Sequence, residues 1–291
     1  MIHTDTHMLS LSLCKEGKQS SQNCSFSKWT HRLDEDLRLF AEYIAPSAEE
    51  VGMRNDVVGR LCALVHELWP RARVDVFGSF ATGLCLPMSD LDLVVHVDTA
   101  YEPLPVLQNV LERRFRCTGL EAIAKARVPL IKFRDAETSV SVDISFNADN
   151  GPRNCAIVRR LLAAHPEARP LILALKYILH SNWLSEVYYG GIGSYGLTLM
   201  VVSFIQMQKR AHAPLTLGAL FLGFLQLYGF NFNYELTGIS LRNGGSYFPK
   251  KAHDWFDPRK PYLLAIEDPD NPGLSFPSIK EQQRTNEHEV L

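Results

Sequence analysis

The feature that most constrains this chain is a change of hydrophobic period. Between about residues 72 and 146, apolar residues alternate every second position or form short β-branched blocks; on both sides they recur every three to four. The central stretch offers ARVDVF, LDLVVHV, VPLIKFRD and VSVDISF as strands, with the helix LPVLQNVLERRF between the second and the later ones. Ahead of it, WTHRLDEDLRLFAEYI places Leu33, Leu37, Phe40 and Ile44 on one helical face. Ala45-Pro46-Ser47 breaks that helix, and Ser47 is suited to cap the next, EEVGMRNDVVGRLCALVHEL, which stops at Trp69-Pro70. From about residue 155 onward the signal is mostly helical: CAIVRRLLAAH, PLILALKYILHS, YGLTLMVVSFIQMQKR and LGALFLGFLQLYGF. The expectation is an α+β protein, a small mixed-sheet unit followed by a mostly helical one.

The boundaries expected are a disordered polar tail over 1–26, an N-terminal helix at 27–49 packing on the helical part, a mixed-sheet unit at 50–152, a helical domain at 153–277 and a polar tail at 278–291. A chain of 291 residues with 46% hydrophobic residues has material for two buried cores. Its formal net charge of -2 argues against attraction of a polyanion by bulk charge, so any nucleic-acid contact must come from a local basic surface or from a partner. Six cysteines, with no CxxC pair, read as reduced thiols. No apolar run approaches the roughly 18 residues of a membrane span.

The segment richest in chemistry is VFGSFATGLCLPMSDLDLVV. Gly78-Ser79 ends a strand and starts a helical turn, where backbone N–H groups can approach a phosphate. Asp90 and Asp92 alternate with Leu91 and Leu93, so both carboxylates project from one face of the strand. Adjacent acids repel unless a cation lies between them, and oxygen ligands suit Mg²⁺. Asp143, flanked by Val142 and Ile144, supplies a third carboxylate from another strand. Three such acids can hold two metals about 3.5–4 Å apart. The competing reading is a solvated strand edge, which Gly78-Ser79 upstream and Asp143 downstream disfavour. His96 shares the face but stands roughly 13 Å along the strand from Asp92, too far for a shared metal, and reads as structural.

These residues resemble the DNA-polymerase-beta-like nucleotidyltransferase superfamily. The resemblance extends through LRLFAEYIAPSAEE, VDISFNADNG, LALKYILHSNWLSEVYYGGIGSYGLTLMVVSFIQ, LYGFNFNYELTGI, GGSY and AIEDPDNPG to the Trf-type poly(A) polymerases, also called DNA polymerase sigma or PAP-associated-domain proteins. It covers about residues 28–273. It implies a nucleotidyltransferase catalytic domain and a helical PAP-associated domain with the active site in the cleft between them.

The resemblance makes Asp90, Asp92 and Asp143 both the catalytic residues and the ligands of Mg²⁺ or Mn²⁺. It makes Gly78 and Ser79 the phosphate turn and Asn150 a ribose contact. Lys176 becomes a triphosphate contact, although a lysine in LILALKYIL could simply snorkel to the surface. Ser194 becomes a β/γ-phosphate hydroxyl, Tyr195 a ring stacked on the base and Asp268 a neighbour of the base edge.

The implied activity is template-independent addition of adenylates from ATP to RNA 3′ ends, in RNA processing or surveillance. The implied partners are a zinc-knuckle RNA-binding protein and a helicase, with no membrane and no DNA. Residence is expected in the nucleus, with a mitochondrial role as the alternative. A terminal uridylyltransferase shares every metal ligand and differs in base reading; relatives of that kind often carry a His where this chain has Leu274. After Pro272-Gly273 the family continues with Asn-Asp-x-x-Arg-x-Ser, whereas this chain reads Leu274-Ser275-Phe276-Pro277. That departure favours a reading of another class, a catalytically weak nucleotide-binding scaffold in an RNA-processing complex.

Overall fold

The structure is a computed structural model that describes residues 20–276 apart from 127, 186–189, 214, 272 and 274. The tails at 1–19 and 277–291, Pro272 and Leu274 lie outside the described residues. The chain divides into two compact units, one of residues 41–198 and one built from the chain up to Phe40 together with the chain from Leu199. The division falls inside the helices α1 (Ser20–Tyr43) and α7 (Ser194–Arg210). α1 starts within the stretch expected as a tail, and the expected boundary at 152/153 falls inside the first unit.

The first unit opens with α2 (Ala48–Leu68), whose start is fixed by a capping box. The Glu50 N–H donates to Ser47 Oγ (3.2 Å), and the Ser47 N–H donates to Glu50 Oε2 (2.7 Å). Trp69-Pro70 ends it, and β1 (Arg73–Phe77), the short α3 (Gly78–Thr82) and β2 (Leu91–His96) follow. After α4 (Pro103–Arg114) come β3 (Cys117–Ile123), β4 (Leu130–Asp135) and β5 (Ser141–Phe146). These form one five-stranded sheet in the order β1-β2-β5-β4-β3. β2 and β5 are parallel; the other pairs are antiparallel.

Period-two alternation decides the two faces. Leu91, Leu93 and Val95 of β2, Ile131 and Phe133 of β4, and Val142 and Ile144 of β5 enter one buried cluster. Val57, Leu61 and Val65 of α2 and Leu107 and Leu111 of α4 close over it. Asp92 and Asp143 sit at the alternate positions, and so face away from this core. Arg60 of α2 grips Asp135 at the end of β4 through two hydrogen bonds of 2.9 Å. α5 (Asn150–Ala164) and α6 (Ala168–Ser181) complete the unit. Gly151, at the start of α5, is packed so closely that an added Cβ would lie 2.4 Å from the Phe77 ring.

β3 was absent from the strand expectations. It is an edge strand, largely exposed, with Gly119 at φ 62° and a register shift between Thr118 and Glu121, so its apolar residues never show a clean alternation.

In the second unit, α7 is buried from Leu199 to Ile205, and α8 (Leu217–Gln226) buries Leu217, Leu220 and Phe224. Two groups serve the α8 N-terminus: Thr216 Oγ1 accepts from Ala219 N–H, and Asp34 Oδ1 accepts from Gly218 N–H. A π-helical turn (Leu227–Asn231) leads into an aromatic chain. Phe204, Phe224, Tyr228, Phe232 and Tyr247 meet in succession with ring centroids 4.7–5.9 Å apart. The region expected as helical also holds a four-stranded sheet in the order β7-β6-β8-β9, from β6 (Thr237–Ser240), β7 (Ser246–Pro249), β8 (Ile266–Glu267) and β9 (Ser275–Phe276). Strands of two to four residues are too short to carry a periodic signal.

Candidate active site

β1 runs straight into α3, and the turn requires glycine. Gly78 has φ 70°, and a Cβ there would fall 1.8 Å from Asp92 Oδ2. The backbone of the turn is thus pressed against the carboxylate, because Phe77 is the register partner of Asp92. Thr82 Oγ1 ties the turn by donating to Gly78 O (3.2 Å) and Ser79 O (3.1 Å). On the other side of β2, Asp92 is the register partner of Asp143 on β5. Asp143 in turn pairs with Lys132 on β4.

A row of charge therefore crosses the middle of the sheet: Asp92, Asp143, Lys132. Lys132 Nζ donates to Asp143 Oδ2 at 2.6 Å. Burial raises the Asp143 carboxyl above the usual carboxylate range against the opposing pull of Lys132. Among the described residues, Asp92 has no such partner. Burial first, and then the neighbouring Asp143 and Asp90, push its carboxyl up to about 7, although Lys132 and Lys176 act the other way. An arrangement that keeps one carboxylate crowded by two others, without a bonded cation, has the donor chemistry of a hard, oxygen-ligated metal. Among the described residues, no group of three or more His, Cys, Asp or Glu side chains is arranged to hold a metal ion as it stands. Lys132 takes up Oδ2 of Asp143 and leaves its Oδ1 as the oxygen that carboxylate can offer a cation.

Asp90 and Asp92 open into a cavity of about 320 Å³, within the size range of small-molecule sites. Gly78, Ser79, Asp90, Asp92, Lys176 and Ser194 all line it. They come from a strand-to-helix turn, a strand, a helix interior and a helix start, and all belong to the first unit. Lys176 Nζ donates to Leu84 O (2.8 Å), and burial, offset by Cys85 and Asp92, pushes its ammonium down to about 8.

The remaining expected residues are placed differently. Asn150 is exposed at the start of α5, Tyr195 is half-buried in the first turn of α7, and neither they nor Asp143 line this cavity. Asp268 belongs to the other unit, where its Oδ1 accepts from the Asp270 and Asn271 N–H groups. His96 lies within 3.2 Å of Asp75 and 3.7 Å of Asp149, away from the carboxylate pair.

The residue that the sequence reading missed is Lys132. Its signal was a cation between Ile131 and Phe133 in the strand VPLIKFRD, which only strand pairing places beside Asp143.

Two family models match the chain: the central palm domain of the mitochondrial-like poly(A) RNA polymerases over residues 33–161, and the Cid1 family poly A polymerase model over residues 216–273. The chain is 40% identical over 245 residues to the poly(A) RNA polymerase cid14 of Schizosaccharomyces pombe, covering 81% of this chain and 36% of that protein. It is 35% identical over 260 residues to poly(A) RNA polymerase protein 2 of Saccharomyces cerevisiae, covering 86% of this chain and 44% of that protein. The chain thus spans less than half the length of these curated relatives. Among solved structures, the polymerase core of TRAMP, an RNA surveillance complex, superposes with a TM-score of 0.76 at 34% identity, covering 84% of this chain and 79% of that one.

Proposed function

The chain belongs to the Trf-type family of poly(A) RNA polymerases, and on that premise we propose that it adds adenylates from ATP to RNA 3′ ends without a template. The observation that carries this reading is the meeting, in one cavity, of the Gly78-Ser79 turn, two adjacent carboxylates, a lysine and a hydroxyl. Such a set recognises a triphosphate beside an oxygen-ligated cation.

Asp90, Asp92 and Asp143 would hold Mg²⁺ or Mn²⁺. When bound, the cation supplies Lewis-acid charge that makes the RNA 3′-hydroxyl a better nucleophile toward the α-phosphorus and steadies the departing pyrophosphate. The other residues position and neutralise. Ser79 and the turn's backbone take phosphate oxygens, while Lys176 and Ser194 take the charge that grows on the leaving group. Lys132 compensates the charge of Asp143 through Oδ2. Asn150, Tyr195 and Asp268 are assigned the ribose, the base ring and the base edge, as the resemblance implies.

The choice of ATP over UTP is supported by Leu274, which stands where uridylyl-transferring relatives often carry His. A role in RNA surveillance is supported by the solved relative, the polymerase core of a surveillance complex. Nuclear residence and work alongside a zinc-knuckle protein and a helicase belong to the same reading.

The test is extension of a 5′-labelled oligoadenylate RNA by the purified chain, with each nucleoside triphosphate separately and with Mg²⁺ or Mn²⁺. Extension with ATP is the expected result. A UTP preference would make the chain a uridylyltransferase, and no addition under any condition would leave the scaffold.

A further inference from the structure

A second cavity, also of about 320 Å³, opens within the same unit and is lined in part by the Pro87–Ser89 segment. Met88 and Ser89 line both cavities, and the next residue is Asp90. Across this second cavity lie Arg54 of α2, Arg134 of β4, and Ser139 and Ser141 at the turn into β5. Ser141 and Arg134 are register partners two residues along the sheet from Asp143 and Lys132, and alternation puts all four on one face.

Arg54 is 4% exposed. Its Nη1 donates to Ser89 O (2.9 Å) and its Nη2 to Pro87 O (3.1 Å), but its Nε is buried with no acceptor. Among the described residues no carboxylate pairs with it. Glu50 also lines the cavity, with Oε2 committed to the Ser47 N–H in the capping box. A guanidinium does not shed its proton, so a buried one without a counter-ion is held at a cost that an anion would remove. Arg134 is exposed at the mouth and has no ion-pair partner among the described residues.

We propose that Arg54, Arg134 and the Ser139 and Ser141 hydroxyls form a phosphate subsite for the acceptor RNA strand, holding a phosphodiester upstream of the 3′ end. The inference rests on the polymerase reading for the identity of its ligand. Met88 and Ser89 line both cavities and lead directly into Asp90, so a phosphodiester held by the two guanidinium groups lies next to the segment that carries the carboxylates. Paired arginines and hydroxyls match phosphate oxygens. A local cluster is also what a chain of net charge -2 needs to hold a polyanion.

The test is direct titration of a 5′-fluorescein oligoadenylate 15-mer by fluorescence anisotropy, without nucleotide, at several salt concentrations. Calorimetric titration with ATP runs in parallel. Arg134→Glu is the principal variant because the side chain is exposed, and Arg134→Lys is the charge-conserving control. Arg134→Glu should weaken RNA binding about tenfold and lower the salt slope by about 0.7, the value for one phosphate contact on a single strand. Arg134→Lys should restore most of the loss, and ATP affinity should stay unchanged in both. Arg54→Gln, checked for folding by its thermal midpoint, should weaken RNA binding in the same direction.

Equal RNA affinity in Arg134→Glu and the parent chain would overturn the subsite, as would an absence of RNA binding by the parent chain. A matching loss of ATP affinity would also overturn it, because the ligand would then be the nucleotide. If RNA binds as described but no nucleotide is ever added, the subsite stands and the polymerase reading falls.

Discussion

Lys176 and Lys250 are both cations that the fold withdraws from water, and burial pushes both ammonium groups down to about 8. Their surroundings differ. Lys250, 1% exposed, donates to three backbone carbonyls: Tyr234 O, Pro261 O (3.0 Å) and Leu263 O. All three ammonium hydrogens are used, and two loop segments of the second unit, at Tyr234 and at 261–263, are fastened to one point. Lys176 donates to a single carbonyl, Leu84 O, and the rest of its ammonium lines the cavity that holds Asp92. Two similar downward shifts thus accompany a structural staple in one unit and, in the proposed function, a substrate contact in the other. A buried charge becomes informative about function when its hydrogen-bonding capacity is left partly unspent toward a cavity.

Several substitutions would break or sharpen that contrast. The largest effect is expected at the carboxylate corner itself. Asp92→Asn should slow nucleotide addition by about 10³-fold, roughly 4 kcal/mol of barrier, while the thermal midpoint does not fall. An equal loss of folded protein would mean that Asp92 serves the fold. Lys250→Met, which keeps the volume and removes the donor, should cost about 3 kcal/mol of stability in urea unfolding by stranding three carbonyls. The folded fraction should retain its ATP affinity.

Gly78→Ala comes next. The added methyl cannot coexist with the present position of Asp92 Oδ2, and displacing a reacting group by about 1 Å can cost 10²-fold in rate. Steady-state kinetics at saturating ATP would read the loss in kcat.

The smallest effect belongs to a purely structural pair. Burial works against the charge of Asp135, but hydrogen bonds from Arg60 and Thr138 outweigh it and hold the carboxyl below its ordinary 3.8. Its folded value lies below its unfolded one, so its stabilisation is present above about 3.8 and is lost as pH falls through the folded value. Asp135→Asn should remove about 1–2 kcal/mol at neutral pH and flatten the acid limb of the stability–pH curve. A curve parallel to the parent's would deny the pair that role.

What the sequence made legible follows the range of the interactions involved. Asp92 was readable because strand alternation is local, whereas Asp90 stands just ahead of β2 rather than on it, and Ser47 was readable because a capping box links residues only three apart. Lys132 was not, since its partner Asp143 is reached only through the β4–β5 pairing. Arg54 lies on a helix 33–35 residues before the carbonyls it holds, and nothing around it in α2 marks it as buried. β3 escaped because its exposed edge and bulge erase the alternation, and β6–β9 because their alternation has no room to repeat.

The comparison of the two lysines rests on Lys176 acting on substrate, and the most direct test is the ATP affinity of Lys176→Met, measured beside its unfolding midpoint. The account predicts a dissociation constant raised about 10- to 30-fold, roughly 1.5–2 kcal/mol, with stability nearly unchanged. Unchanged ATP affinity together with a stability loss like that of Lys250→Met would contradict it, making Lys176 a second staple and the cavity beside Asp92 no triphosphate site.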